Sequence, residues 1–142
     1  MKKKVFLDTN IFIDYLARRG QFFESAAKII QMGQQHRCEI MVSALSFATA
    51  SFILETHHKL PNDVIVQKFV MFVKMCNVTP VDSLVIDEAI ASQFPDFEDA
   101  MQYYSALREG ADAIITRNTS DFVASKIEVY EPQQFLDMVV VD

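Results

Sequence analysis

Val5-Phe6-Leu7-Asp8-Thr9-Asn10, followed at once by Ile11-Phe12-Ile13-Asp14-Tyr15-Leu16, decides how this chain is read. A short apolar run stops on a carboxylate, and a helix-period run begins beside it. Asp8 is thereby placed at the carboxyl edge of a strand, where open α/β sheets put their ligands. Downstream, short apolar runs alternate with helix-period segments, the pattern of a parallel sheet with crossover helices. Strands are expected near Lys4–Asp8, Glu39–Ser43, Asn77–Val81, Asp112–Thr116 and Ile127–Tyr130. Ile40-Met41-Val42 and Ala113-Ile114-Ile115 are apolar without a break, as strands buried on both faces should be.

Helices fill the intervals. They are expected over Asn10–Arg18, stopping at Gly20, then over Phe22–Gln35, with Phe23, Ala26, Ala27 and Ile30 on one face. Leu45–His58 and Asp63–Met75 form a pair broken by Pro61 and restarted with Asn62 or Asp63 as cap. Ser83–Phe94 follows, then Phe97–Arg108, which Gly110 terminates, and a last helix after Pro132. The fold class is α/β: one domain over residues 1–142, three layers α/β/α around a central parallel sheet of about five strands.

At 142 residues the chain is long enough for one substantial core. Its hydrophobic content of 51%, with 12 Phe and 7 Met, excludes intrinsic disorder. A net charge of −6 excludes a broad basic surface that grips nucleic acid non-specifically. Any such grip must come from local basic groups or from a second subunit. Cys38 and Cys76 share no metal-ligand spacing and read as reduced thiols. Met1-Lys2-Lys3-Lys4 looks like the start of a signal peptide, but Asp8 and Asp14 break the apolar run that follows. No stretch approaches the roughly 20 apolar residues of a membrane helix, and a cytoplasmic location is expected.

Two further acidic clusters share the setting of Asp8. Asp96-Phe97-Glu98-Asp99 opens a helix, and Asp121 lies in Thr116-Arg117-Asn118-Thr119-Ser120-Asp121-Phe122 after the fourth strand. Asp96 and Asp99, three apart, are neighbours on the helix surface near the positive end of its dipole. Each acid alone also reads as a helix cap or turn residue. Together, at the carboxyl edge of one sheet, they point to a single site. Two carboxylates at about 4 Å repel by on the order of 4 kcal/mol at an effective dielectric near 20. A cluster of them persists only if protonated, spread apart, or neutralised by a hard cation such as Mg²⁺ or Mn²⁺. The pattern fits a metal site for phosphodiester chemistry.

Leu7-Asp8-Thr9-Asn10, the turn Ser43-Ala44-Leu45-Ser46, Asp96-Phe97-Glu98-Asp99-Ala100 and the segment Thr116–Phe122 resemble, in order and spacing, the successive motifs of PIN domains. Each motif is weak alone; the four together are specific, and the likeness covers essentially the whole chain. It is strongest to bacterial single-domain proteins similar to VapC-type toxins. The resemblance implies Mg²⁺- or Mn²⁺-dependent cleavage of RNA, a homodimer, and an antitoxin protein as partner. It further implies that Asp8 is the first metal-binding aspartate, with Asp99 a second and Asp96 an accessory acid. Asn118 and Asp121 would supply the last polar ligands, while Thr116 and Asn10 orient the others by hydrogen bonds. The catalytic set is then Asp8, Asp99 and Asp121.

One position departs from the family pattern. Where PIN nucleases usually carry a glutamate on the helix after the second strand, this chain has Thr49. Glu55, six residues on, is turned by about 600° and displaced about 9 Å along the axis, so it is no substitute. The alternative to a ribonuclease is therefore a binding module of the same fold that docks protein or RNA. A haloacid-dehalogenase-type phosphatase needs a second acid two residues after the first, where this chain has Asn10. A receiver domain needs a phosphorylatable acid after strand 3, where it has Thr79-Pro80-Val81-Asp82.

Arg18, Arg19, Arg108 and Arg117 are the nearest candidates to hold phosphate, and Arg117 leads because it lies between Thr116 and Asn118. Phe47, Phe52 and Ile53 on one helix, and Phe69, Phe72, Val73 and Met75 on the next, read as core or in part as a homodimer face.

Overall fold

Val5, Phe6 and Leu7 are completely buried because their strand, β1 (Lys3–Leu7), lies in the middle of the sheet. The computed structural model describes residues 2–141. Four further strands complete a five-stranded sheet in the order β3-β2-β1-β4-β5: β2 (Cys38–Ser43), β3 (Cys76–Thr79), β4 (Ala113–Ile115) and β5 (Glu128–Tyr130). All four pairings are parallel, with Phe6 in register with Met41 on one side and Ile114 on the other.

Seven helices cover the sheet among the described residues: α1 (Thr9–Leu16), α2 (Phe23–Gln34), α3 (Ala44–Thr56), α4 (Asn62–Val73), α5 (Ser83–Ile90), α6 (Phe97–Arg108) and α7 (Pro132–Val141). The period-2 alternation of the strands separates two cores. Val5, Leu7, Ile40, Val42 and Ile115 face a large one shared with α1, α2, α3, α4 and α7. Phe6, Met41 and Ile114 face a smaller one completed by Tyr103 and Ala106 of α6 and by Phe122. The result is the three-layer α/β/α architecture.

Part of the phenylalanine content is core. The Phe12 ring lies 4.8 Å from both Phe47 and Phe72 and 6.1 Å from Phe69, centroid to centroid. Phe52 and Val73 of the same helix pair remain exposed. Gly33 is required by close approach: a Cβ there would collide with the Ile40 side chain, so its absence lets α2 lie down on β2.

Several element ends differ from the sequence expectation, each for a local reason. Helix α1 stops at Leu16 rather than Arg18, because Arg18 takes a left-handed conformation (φ 51°). The buried stripe of α2 runs through Ala26, Ile29, Ile30 and Gly33, leaving Phe23 and Ala27 at its margin. Neither Asn62 nor Asp63 caps α4; Pro61 holds the cap position without a side-chain bond. Helix α5 starts at Ser83 as expected, capped by Asp82, which accepts from the Val85 N–H, but it ends at Ile90 rather than Phe94. Helix α6 spans Phe97–Arg108, and Gly110 follows at φ +75°. Two 3₁₀ turns were not expected: Thr119–Phe122 lies in the segment after β4, and Gly20–Phe22 takes up Phe22, so α2 starts at Phe23 rather than Phe22.

Candidate functional site

Asp8 leaves β1 in extended conformation and caps α1, its side chain accepting from the Thr9 N–H at 2.8 Å. Its own N–H donates to Ile115 O at 2.9 Å, which fastens the end of β1 to the end of β4. The Thr116 hydroxyl, fully buried, donates to Asp8 Oδ2 at 2.8 Å and accepts from the Asn118 N–H at 3.1 Å. Asn10 Nδ2 donates weakly to the same Oδ2 at 3.3 Å. Asp8 is thus a buried carboxylate, 7% exposed, held rigidly by donors from two adjacent strand ends.

Above it opens a cleft of about 540 Å³ at the carboxyl edge of the sheet. Asp8, Asn10 and Ile13 form its floor, and Thr49 and Ile53 of α3 one wall. Asp96, Glu98 and Asp99 enter from the start of α6, and Asn118 and Asp121 from the loop after β4. Arg19 and Arg117 close the remaining side. Asp96 also caps α6, accepting from the Asp99 N–H at 3.0 Å.

Burial, and after it the neighbouring acids, raise the proton affinities of Asp8, Glu98 and Asp99. Burial raises the pKa of Asp8, opposed by its bonds to Thr116 and Thr9 and raised again by the charge of Asp121. Asp99 is pushed up to about 7 by burial first, then by Asp8, Asp96, Asp121 and Glu98. Glu98 is raised by burial and by the charges of Asp96 and Asp8. These are carboxylates close enough to repel, with no protein cation among them sufficient to hold every one ionised.

Among the described residues, no three His, Cys, Asp or Glu side chains are drawn together into a ready ligand set. The donor chemistry nevertheless fits a hard divalent cation. Asn10 Oδ1 is buried and accepts no hydrogen bond, an orphan acceptor on a side chain that bonds Asp8 through its Nδ2. A magnesium-sized ion keeps several waters and needs only one or two protein carboxylates, so a closed protein cage is not required.

Eight of the nine residues singled out from the sequence line this cleft: Asp8, Asn10, Thr49, Asp96, Asp99, Arg117, Asn118 and Asp121. Thr116 stands behind Asp8. Glu55 is exposed and lies outside the cleft. Arg117 is no unattached cation: its Nε and Nη2 donate to Asp14 at 2.9 and 3.3 Å, and its guanidinium lies 4.0 Å over the Phe22 ring. Arg108 is paired with Glu88 at 2.8 Å, and Arg18 sits over Phe23 beside a different recess, so neither reaches the cleft.

Sequence reasoning missed two groups. Gln102, fully buried on α6 three residues after Asp99, donates through Nε2 to Thr9 Oγ1 at 2.6 Å and to Ser46 Oγ at 2.8 Å. Its Oε1 accepts from the Ser43 hydroxyl at 2.5 Å. This closed network ties the starts of α1 and α3 to α6, the three elements that bring Asp8, Thr49 and Asp99 together. Its sequence signal was a glutamine between Ala100 and Ala106, in register with Asp99. The other is Asp14, completely buried, whose carboxylate also accepts from Arg19 Nε at 2.8 Å. In the sequence it served only as an interruption of an apolar run.

The chain is 23% identical over 140 residues to ribonuclease VapC1 of Aquifex aeolicus, covering 95% of this chain and 94% of that one. The fold is similar to that of VapBC2 from Rickettsia felis, solved bound to a promoter DNA fragment, with a TM-score of 0.66 at 12% identity. That match covers 90% of this chain and 97% of that one. It is similar also to Mycobacterium tuberculosis VapC20, described as a sarcin-ricin loop cleaving toxin, with a TM-score of 0.60 at 13% identity over 78% of this chain and 86% of that one. The family model for the PIN domain matches residues 4–120, most of the chain. The chain belongs to the PIN domain family.

Proposed function

We propose that the protein is a divalent-metal-dependent ribonuclease, working at the cleft above Asp8. One observation carries the reading most directly. Asp8, Asp99 and Asp121 meet at the carboxyl edge of a parallel sheet, where burial and then the charges of Asp8, Asp96, Asp121 and Glu98 raise Asp99 to about 7. That is electrostatic strain that a bound hard cation would relieve.

Asp8 and Asp99 would hold the cation, with Asp96, Asp121 and Asn118 completing the polar surround and Asn10 Oδ1 taking one of its waters. A divalent cation, Mg²⁺ or Mn²⁺, supplies Lewis-acid charge that acidifies water and offsets the developing charge on a phosphodiester. The chain itself contributes placement. Thr116 and the Thr9 N–H fix Asp8 in one orientation, and the Gln102 network fixes the distance between α1 and α6.

The similarity to ribonuclease VapC1, and the fold shared with toxin–antitoxin complexes, support a toxin role with an antitoxin protein as partner. The exposed apolar side chains Phe52, Val70 and Met71 offer a surface for a homodimer or such a partner. No helix among the described residues is long and apolar enough to cross a membrane, and action on RNA suits a cytoplasmic location.

The second reading, a binding module with little or no catalysis, has one observation in its favour. Thr49 offers a hydroxyl to the cleft where the family's usual carboxylate would stand. Calorimetric titration with Mn²⁺ tests the proposal. Wild type should bind with release of protons near neutral pH, and Asp8→Asn should lose most of the heat. Binding unaffected by Asp8→Asn would remove the cation from this cleft and the nuclease reading with it.

A further inference from the structure

We propose that Asp14 is a positioning residue that fixes Arg19 and Arg117 as a seat for an RNA phosphate on the flank of the acidic cleft. The inference rests on the ribonuclease reading and adds to it how an acidic site holds an acidic substrate. Asp14 has no exposed surface, yet two guanidinium groups converge on its carboxylate. Neutralising one buried carboxylate needs one cation. The second leaves the cluster with a net positive charge, and both arginines line the cleft. Among the described residues, they are the only cations that do.

The donors left over suit a phosphate. A guanidinium carries five N–H groups in a planar fork. Arg117 uses two on Asp14; Arg19 uses one on Asp14 and one on Asn10 O, at 3.3 Å. Three therefore remain on each. Both side chains are a little over a quarter exposed, enough to be reached from solvent.

Arg117 is further held flat by the Phe22 ring beneath it. A shallow recess of about 360 Å³, lined by Arg19, Gly20, Gln21, Phe22 and Arg117, adjoins the cleft and shares both arginines with it. A single strand leaving the acidic cleft on this side would pass over both arginines. Free arginines would collapse onto Asp99 or Asp121; tethered to Asp14, they stay on the rim.

The test turns on a sign. Asp14→Asn removes a negative charge near the site, so simple electrostatics predicts tighter RNA binding, whereas loss of positioning predicts weaker. The probe is a fluorescein-labelled single-stranded RNA decamer titrated in EDTA, with cleavage measured separately in Mn²⁺. Asp14→Asn should weaken binding about five- to tenfold and raise KM more than it lowers kcat. Its log K against log salt slope should fall by about 0.7 for each phosphate that the protein no longer neutralises.

Arg19→Lys and Arg117→Lys keep both charges and leave Asp14 paired, so they report on the fork even if Asp14→Asn folds poorly. Each should weaken binding several-fold, while Arg108→Lys should not. Equal or tighter binding by Asp14→Asn, or lysine variants that bind like wild type, would overturn the positioning role while cleavage in Mn²⁺ left the nuclease reading intact. Wild type that neither binds nor cleaves RNA would overturn both.

Discussion

Thr116 Oγ1 lies 2.8 Å from Asp8 Oδ2, joining the end of β4 to the end of β1 through one buried hydrogen bond. The hydroxyl has no exposed surface and the carboxylate almost none, so the bond acts where water cannot replace it. It opposes the effect of burial on Asp8, keeping that group nearer to ionised than its surroundings would allow. Thr116→Val keeps the shape and removes the donor. It should destabilise the fold by about 1.5–3 kcal/mol, the range for a hydrogen bond to a charged group. It should also weaken Mn²⁺ binding, because Asp8 would then hold its proton more tightly. Melting temperature and calorimetry check the two together.

Asp99 gives the site a pH dependence of known sign. Its carboxyl is raised to about 7 in the folded chain, against about 3.9 when unfolded. Between those values the folded state binds the extra proton, so this group lowers stability as pH rises from about 4 to about 7. Without divalent metal, the wild-type melting temperature should therefore fall across that window. Asp99→Asn should flatten the fall and melt higher than wild type at pH 8 in EDTA, yet gain less from Mn²⁺. The size is modest, because Asp99 is partly open to solvent. A variant that melts lower at pH 8 would mean that Asp99 serves the helix start alone.

Gln102 is the fastening between α6 and the rest of the site. Gln102→Leu leaves the buried side chains of Thr9, Ser43 and Ser46 without their shared partner. Stranded buried polar groups cost about 1–3 kcal/mol each. Some re-pairing among the hydroxyls is expected, so a loss of about 2–3 kcal/mol overall should appear in urea unfolding. Mn²⁺ affinity should fall with it, although Gln102 touches no cation, since Asp99 moves with its helix.

Thr49→Glu adds a carboxylate to the wall that lacks one. Mn²⁺ affinity should rise about tenfold, or about 1.4 kcal/mol, and RNA cleavage with it. An unchanged titration would mean that position 49 points past the cation.

The middle of the sheet was legible because its three central strands carry uninterrupted apolar runs, Val5-Phe6-Leu7, Ile40-Met41-Val42 and Ala113-Ile114-Ile115, a signal local to a few residues. The edge at which the acids gather followed from the same runs, since Asp8 and Thr116 each stand where an apolar stretch stops. Helix ends were less legible: α5 starts at Ser83 as expected but stops at Ile90 rather than Phe94, with no glycine or proline before Pro95 to mark the stop. Gln102 and Asp14 were missed for another reason. A buried polar side chain is written in the sequence only by the partners it finds, and those of Gln102 lie up to 93 residues away. For Arg117 the sequence located the residue, but not the buried Asp14 that holds it 103 residues distant.

The most direct test is cleavage of a single-stranded RNA by wild-type protein and by Asp8→Asn, each in Mn²⁺ and in EDTA. Wild type should cut in Mn²⁺ and not in EDTA, and Asp8→Asn should cut at least about 100-fold more slowly, a barrier increase of about 2.7 kcal/mol. RNA left intact by wild type in Mn²⁺, or cut equally well by Asp8→Asn, would contradict the account.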